Sequence, residues 1–121
     1  MAEDYRQRLG EFGERLARLF LSRRGYEIIL QNYRTRFGEI DIIAQKENRL
    51  FFVEVKTRTT DEFGPPQEAV TRHKLNRLRR TVEIYLSAKN RPNQNWQIDV
   101  ISVEIDKANK KAKIRRWPIE G

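Results

Sequence analysis

The chain has 121 residues, enough for one domain with its own core and too few for two. Its 25 Lys and Arg against 17 Asp and Glu leave a net charge of +8, which suits a polyanionic partner, nucleic acid before anionic membrane. Without cysteine there are no disulfides or thiolate metal sites, and one histidine, His73, rules out a histidine-rich zinc site. Neither a signal-peptide core nor a membrane-length apolar run is present, so the expected location is the cytosol, off the membrane.

Residues 4–24 have the spacing of an amphipathic helix, with Tyr5, Leu9, Phe12, Leu16, Leu19 and Phe20 forming one apolar stripe. Glu14 lies off that stripe, which reads as a solvated carboxylate. Its own ridge is Gly10, Ala17 and Leu21, and small apolar neighbours suit a ridge pressed against a sheet. Periodicity leaves both placements open. Gly25, after Arg23 and Arg24, suits the left-handed position that ends a helix. Residues 26–30 follow as a short strand, and residues 31–37 as a loop carrying Arg34 and Arg36. Those arginines suit bidentate phosphate binding and suit a soluble edge equally.

Residues 40–45 and 50–55 are rich in Ile, Val and Phe, which favour strands. Between them Lys46, Glu47, Asn48 and Arg49 have the length of a four-residue hairpin loop. With Gln45 opposite Leu50, Asp41 falls opposite Glu54 and Glu39 opposite Lys56, and strict alternation puts all four on one face. Directly opposed Cβ atoms lie about 4.5–5.5 Å apart. Two carboxylates that close, if buried, repel at a cost of several kcal/mol unless a cation lies between them. A divalent ion is the expected cation, since Mg²⁺ is commonly held by one or two carboxylates with water and phosphate oxygens. Lys56 adds a second positive charge. A one-residue slip would part the acids.

Residues 57–66, ending in Gly64, Pro65 and Pro66, are expected to form a loop in which Thr57 and Arg58 are placed to touch substrate. A second helix is expected over residues 67–87. Val70, Leu75, Leu78, Val82, Tyr85 and Leu86 face inward, and Arg72, Lys74, Arg77, Arg79 and Arg80 face outward. Such a basic stripe suits a phosphate backbone, and suits a solvated helical face. His73 is expected to be a partly buried packing residue. After a polar loop, residues 96–105 alternate as a strand in which Asp99 either has a polar partner or lies near the strand end, a structural residue in both cases. A charged turn then precedes a short strand at 112–117, with Trp117 as a packing anchor. The order α-β-β-β-α-β plus a last strand fits an α/β sandwich, a mixed central sheet flanked by helices.

Asp41 and, past the turn, Glu54-Val55-Lys56 resemble the metal-site core of the PD-(D/E)XK nucleases, which have the restriction-endonuclease-like fold. More closely, the chain resembles the YraN-like proteins, a largely uncharacterised family of small bacterial proteins. The matching segments are Gly13-Glu14 with Ala17, Gly25-Tyr26, Asn32 with Arg34, Gly38-Glu39-Ile40-Asp41, residues 52–58, Ala69-Val70-Thr71 with Lys74, and Asp99-Val100. They cover most of the chain. Archaeal Holliday-junction resolvases share the layout, including an acid on the first helix, and are the nearest functional analogy.

The resemblance implies a restriction-endonuclease-like sandwich as a single domain over residues 1–121. It also implies a Mg²⁺- or Mn²⁺-dependent endonuclease acting on DNA, with branched or repair intermediates among its candidate substrates. Asp41 and Glu54 become metal ligands with Glu14 as a third acid, and Lys56 the catalytic lysine that orients water or stabilises developing charge. Gln67 resembles a polar residue that many nucleases of this fold use to orient water. Glu39 is an accessory acid, pairing with Lys56 or facing solvent. The expected nucleic-acid contacts are Arg34, Arg36, Arg58, Lys74, Arg77 and Arg80, with DNA ahead of RNA by analogy alone. Related resolvases act as dimers, which leaves a homodimer open. A different class is a DNA- or RNA-binding module that keeps the fold and cleaves nothing, though its paired acids would repel the ligand.

Overall fold

Strand-forming residues dominate the middle and end of the chain, and they assemble into one five-stranded sheet: β1 Glu27–Thr35, β2 Gly38–Lys46, β3 Arg49–Thr59, β4 Asn95–Asp106 and β5 Lys111–Glu120. Among the described residues two helices, α1 Ala2–Arg23 and α2 Arg72–Ala88, complete the element order expected from sequence. The computed structural model describes residues 2–60 and 70–121. Strand order follows chain order, antiparallel throughout except for the parallel pair β3–β4. Parallel neighbours need a crossover connection, and α2 lies in the segment that supplies it. Among the described residues no helix is long and apolar enough to cross a membrane.

Each face of the sheet has its own core. Ala17 and Leu21 of α1 pack with Ile42, Ala44, Phe51, Val53, Ile101 and Val103. Leu78, Val82, Tyr85 and Leu86 of α2 pack with Ile40, Ile43, Leu50, Phe52 and Ile98. Neighbours such as Phe51 and Phe52 therefore serve opposite cores, as alternation in a sheet covered on both faces requires. The result is an α/β sandwich.

Several boundaries differ from expectation, each for a local reason. The loop expected over residues 31–37 is strand as far as Thr35, and only Arg36 and Phe37 turn into β2. Gln31, Asn32 and Arg34 are exposed on an edge strand, where polar side chains are compatible with pairing. β3 runs on to Thr59, because β4 pairs with it up to Thr59 opposite Ile105. The β2–β3 turn has two residues, not four: Lys46 already pairs with Arg49, and Glu47 and Asn48 take left-handed φ of 51° and 66°. β5 extends to Glu120, past the expected end at Trp117. Helix α2 begins at Arg72, later than expected, with Thr71 extended as its cap. The expected helix start around Gln67, and Gln67 itself, lie outside the described residues.

The buried side of α1 coincides only in part with the predicted stripe: Leu16 and Phe20 pack against the core, half-buried. Tyr5, Phe12 and Leu19 stay 39%, 40% and 45% exposed, while Gly13, Ala17 and Leu21 face the sheet. Small residues let the helix axis come close: a Cβ at Gly13 would stand 1.8 Å from Thr57 Oγ1, whereas one at Gly10 meets nothing within 4 Å. Two substitutions separate these positions. Gly13→Ala is expected to destabilise by about 1–3 kcal/mol through overpacking, and Gly10→Ala to be neutral or to stabilise by up to about 1 kcal/mol. Denaturant midpoints of the two variants check this; equal shifts would mean that α1 does not approach β3 along this ridge.

Candidate active site

The β2–β3 register is the expected one, with Gln45 opposite Leu50, and the ladder continues to Ile42 opposite Val53. There it stops. One step on, the Val55 N–H donates to Asp41 Oδ2 at 2.7 Å, so a side-chain carboxylate does what a ladder carbonyl would otherwise do. Face alternation breaks at the same point. Ile40 and Ile43 both pack toward α2, while Ile42 and Ala44 pack toward α1, which leaves Asp41 at a change of face. The expectation that Glu39, Asp41, Glu54 and Lys56 share one regular face is corrected accordingly. Glu39 pairs with its cross-strand neighbour Arg34 at 2.7 Å rather than with Lys56.

Glu54 is 7% exposed, and its Oε2 carries two ammonium groups. Lys56 lies 3.3 Å away on the same strand, and Lys74 reaches the same oxygen from α2. The α2 cap positions Lys74: Thr71 Oγ1 accepts the Lys74 N–H at 3.1 Å and fixes the first turn. From the opposite helix, Glu14 is set on the ridge that Gly13 and Ala17 bury. Asn32 lies between Glu14 and Glu39. With its amide nitrogen turned to the acids, it donates to Glu39 Oε1 at 3.0 Å and Glu14 Oε1 at 3.2 Å.

Burial, and after it the crowding of charge, moves these groups from their ordinary values. Burial, then the charge of Glu54, pushes the Asp41 carboxyl up to about 8 against the pull of the Val55 hydrogen bond; Glu14 and Glu39 add to the rise. Burial and then Glu39 raise Glu14. Lys56 is lowered by burial and by its hydrogen bond with Lys74. Burial also pulls Lys74 down, but its hydrogen bonds to Glu54 and Lys56 outweigh this and leave it raised.

Among the described residues no three His, Cys, Asp or Glu side chains converge as a ready metal-binding group. The donor chemistry nevertheless fits Mg²⁺ or Mn²⁺. Asp41 and Glu54 are hard oxygen donors, burial and then the charge of Glu54 favour the protonated form of Asp41, and one or two carboxylates with water are a common Mg²⁺ set.

Most of the other expected residues are engaged by the protein itself. Arg58 pairs with Glu104 at 3.4 Å, Arg77 donates to the Phe37 carbonyl, and Arg36 and Arg80 lie 4.9 and 4.5 Å from the Phe37 ring. His73 is exposed, not a packing residue, because α2 turns Leu75 and Leu78 inward instead. Asp99 is fully buried with the polar partners it needs, Gln97 Nε2 and Arg116 Nε, each at 2.7 Å. Asn32 was not singled out by chemistry in the sequence. Its signal is an asparagine in a β context, the residue type that tolerates its φ of 53°.

Residues 13–103 match the model of a family described as uncharacterised protein family UPF0102. A UPF0102 protein of Alkaliphilus metalliredigens is 46% identical over 102 residues, covering 84% of this chain and 90% of that one. One of Syntrophomonas wolfei is 39% identical over 103 residues, covering 85% and 90%. One of Roseiflexus castenholzii is 39% identical over 114 residues, covering 93% and 92%. The expected YraN-like membership is borne out by these matches.

The Asp41 environment predicts a pH signature in a chelated sample. In the unfolded chain Asp41 ionises near 3.8, while in the folded chain it keeps its proton to about 8, so stability falls as pH rises through that interval. Asp41→Asn removes this penalty and keeps an acceptor for Val55. It is expected to stabilise by about 1–3 kcal/mol at pH 8, roughly 3–10 °C in Tm, and to do little at pH 4. Thermal melts at both pH values check it; an equal gain at each would mean that Asp41 does not titrate between them.

Proposed function

The chain belongs to the uncharacterised protein family UPF0102, and we propose that it is a metal-dependent nuclease hydrolysing phosphodiester bonds in DNA, branched and repair intermediates included. The observation that carries this reading is half-buried Asp41 beside buried Glu54, with Lys56 on the Glu54 carboxylate. A chain without cysteine or a membrane-length helix among the described residues fits work on nucleic acid in the cytosol.

Asp41 and Glu54 would hold Mg²⁺ or Mn²⁺, with Glu14 as the third acid. When bound, such a cation supplies neutralising charge at the scissile phosphate and acidity to water. Hydrolysis forms a P–O bond to water and breaks the P–O bond to one sugar oxygen. Lys56, held on the Glu54 carboxylate, is suited to orient the attacking water, whose proton passes to solvent, or to stabilise the charge that develops at phosphorus. The departing sugar oxygen recovers a proton from solvent. Lys74, which covers Glu54, would face the phosphate. Arg34, Arg36, Arg58, Arg77 and Arg80 are proposed to hold the flanking backbone, and Gln67 and Glu39 to assist.

A second reading has its own support: two lysines on one buried carboxylate more than neutralise Glu54 without any metal, as a pure nucleic-acid-binding module would need. Cleavage of single strands, duplex, flaps, four-way junctions and structured RNA with Mg²⁺ or Mn²⁺ separates the two. The nuclease reading expects at least one substrate to be cut, and Glu54→Ala to lose about 10²–10³-fold or more of that rate while still binding. Binding without cleavage, or equal cleavage by wild type and Glu54→Ala, decides against it. Lys74→Ala adds a readout free of turnover. Removing a competing cation should tighten Mn²⁺ binding about 3–10-fold in calorimetry, and weaker Mn²⁺ binding would mean that Lys74 supports the metal site.

A further inference from the structure

Arginines on the two helices differ in what they are doing. On α2, Arg77 holds the Phe37 carbonyl, Arg79 pairs with Glu120 at 2.7 Å and Arg80 covers Phe37. On α1, Arg8 and Arg18 form no hydrogen bond or close ion pair with a described residue, the charge of Arg18 acts on Glu14 only at longer range, and Arg15 rests 5.6 Å from the Phe12 ring. Arg8, Arg15 and Arg18 nonetheless converge on one cleft between α1 and β1, with Gln31 and Asn32 on its far side and a volume of about 570 Å³. Phe12 forms part of the wall and is 40% exposed. Glu14 lines this cleft and also a neighbouring cavity that contains Lys56 and Thr57. Glu14 thus stands between the cleft and the Lys56 side of the candidate active site, on the α1 face of the sheet.

We propose that the α1–β1 cleft seats a single strand of nucleic acid, with phosphates on Arg8, Arg15 and Arg18 and an unpaired base against Phe12. Ten residues of helix separate Arg8 from Arg18, about 15 Å, the reach of a few nucleotides. Three guanidiniums along one side of a helix form a cationic rim that a phosphodiester backbone can follow. An exposed aromatic beside that rim gives an unpaired base a surface to stack on, which a duplex, with its bases already stacked, cannot use. The carboxylates of Glu11 and Glu14, also in the cleft, repel phosphate and confine the backbone to the arginine side. In naming the form of the substrate this rests on the nuclease reading, but binding is measurable apart from cleavage.

The test is fluorescence anisotropy with a labelled single-stranded DNA oligonucleotide and its duplex, in a chelator, across a salt series. Arg15→Ala with Arg18→Ala should weaken single-strand binding about tenfold or more and reduce the log–log salt slope by about 1.4. Arg15→Lys with Arg18→Lys should restore most of that slope. Lys113→Ala with Arg115→Ala, which removes the same charge from exposed positions on β5, should change binding less than about threefold. Phe12→Ala should weaken the single strand about fivefold or more and leave the duplex nearly unchanged. Equal losses from the two charge pairs, equal effects of Phe12→Ala on single strand and duplex, or no single-strand binding by wild type would each overturn the proposal. The cleavage panel reads out separately. Cleft-dependent binding without cleavage removes the nuclease reading alone, and cleavage that survives loss of the α1 arginines removes the cleft alone.

Discussion

Asp41 and Glu54 meet where the β2–β3 ladder stops, and each meets the resulting charge in a different way. Glu54 takes two lysines, one from its own strand and one from α2. Asp41 takes the Val55 N–H and keeps a proton up to about pH 8. Burying two such groups without compensation would cost several kcal/mol, so the lysines and the retained proton are conditions of the fold as it stands. On the proposed reading a divalent cation would replace both devices at once.

The helices hold this point from opposite faces. α1 comes in on glycine and alanine, close enough that Gly13 has no room for a side chain against Thr57, and this brings Glu14 and the Asn32 amide to the same strand ends. α2 starts at a threonine cap that aims Lys74 inward, and it is tied to the β1–β2 turn by Thr81. That hydroxyl donates to the Arg77 carbonyl at 3.0 Å and lies 3.3 Å from Thr35 Oγ1. Under α1, Arg116 joins Asp99 to the Tyr26 hydroxyl and lies over Tyr26 and Phe51, locking the far edge of the sheet. Such a buried ion pair fixes geometry more than it adds stability.

The hairpin was legible because apolar strand residues flank a short polar break, and the break sets the register whether the turn has two residues or four. From that register followed the approach of Asp41 to Glu54. Asp99 was legible for the same reason: a carboxylate in an apolar strand requires a partner, and Arg116 supplies it. What periodicity could not convey was the choice of helix face. Tyr5, Phe12 and Leu19 make the stronger apolar pattern on α1, yet close approach favours the smaller ridge of Gly13 and Ala17. Nor could it convey the change of face at Asp41, which depends on where pairing ends in three dimensions. Polar edge residues such as Gln31 and Arg34 read as loop because pairing on one side only leaves side chains free to be polar. Lys74 was visible as one cation of a stripe; its contact with Glu54 depends on the helix beginning at Arg72.

Calorimetric titration of Mn²⁺ into the wild-type protein at pH 7, in two buffers of different ionisation enthalpy, tests the central claim most directly. If Asp41 and Glu54 form a cation site in which Asp41 holds a proton until the ion arrives, one ion binds and about one proton is released, and both signals vanish in Glu54→Ala. Absence of Mn²⁺ binding, or binding that is unchanged by Glu54→Ala and independent of buffer, would contradict the account.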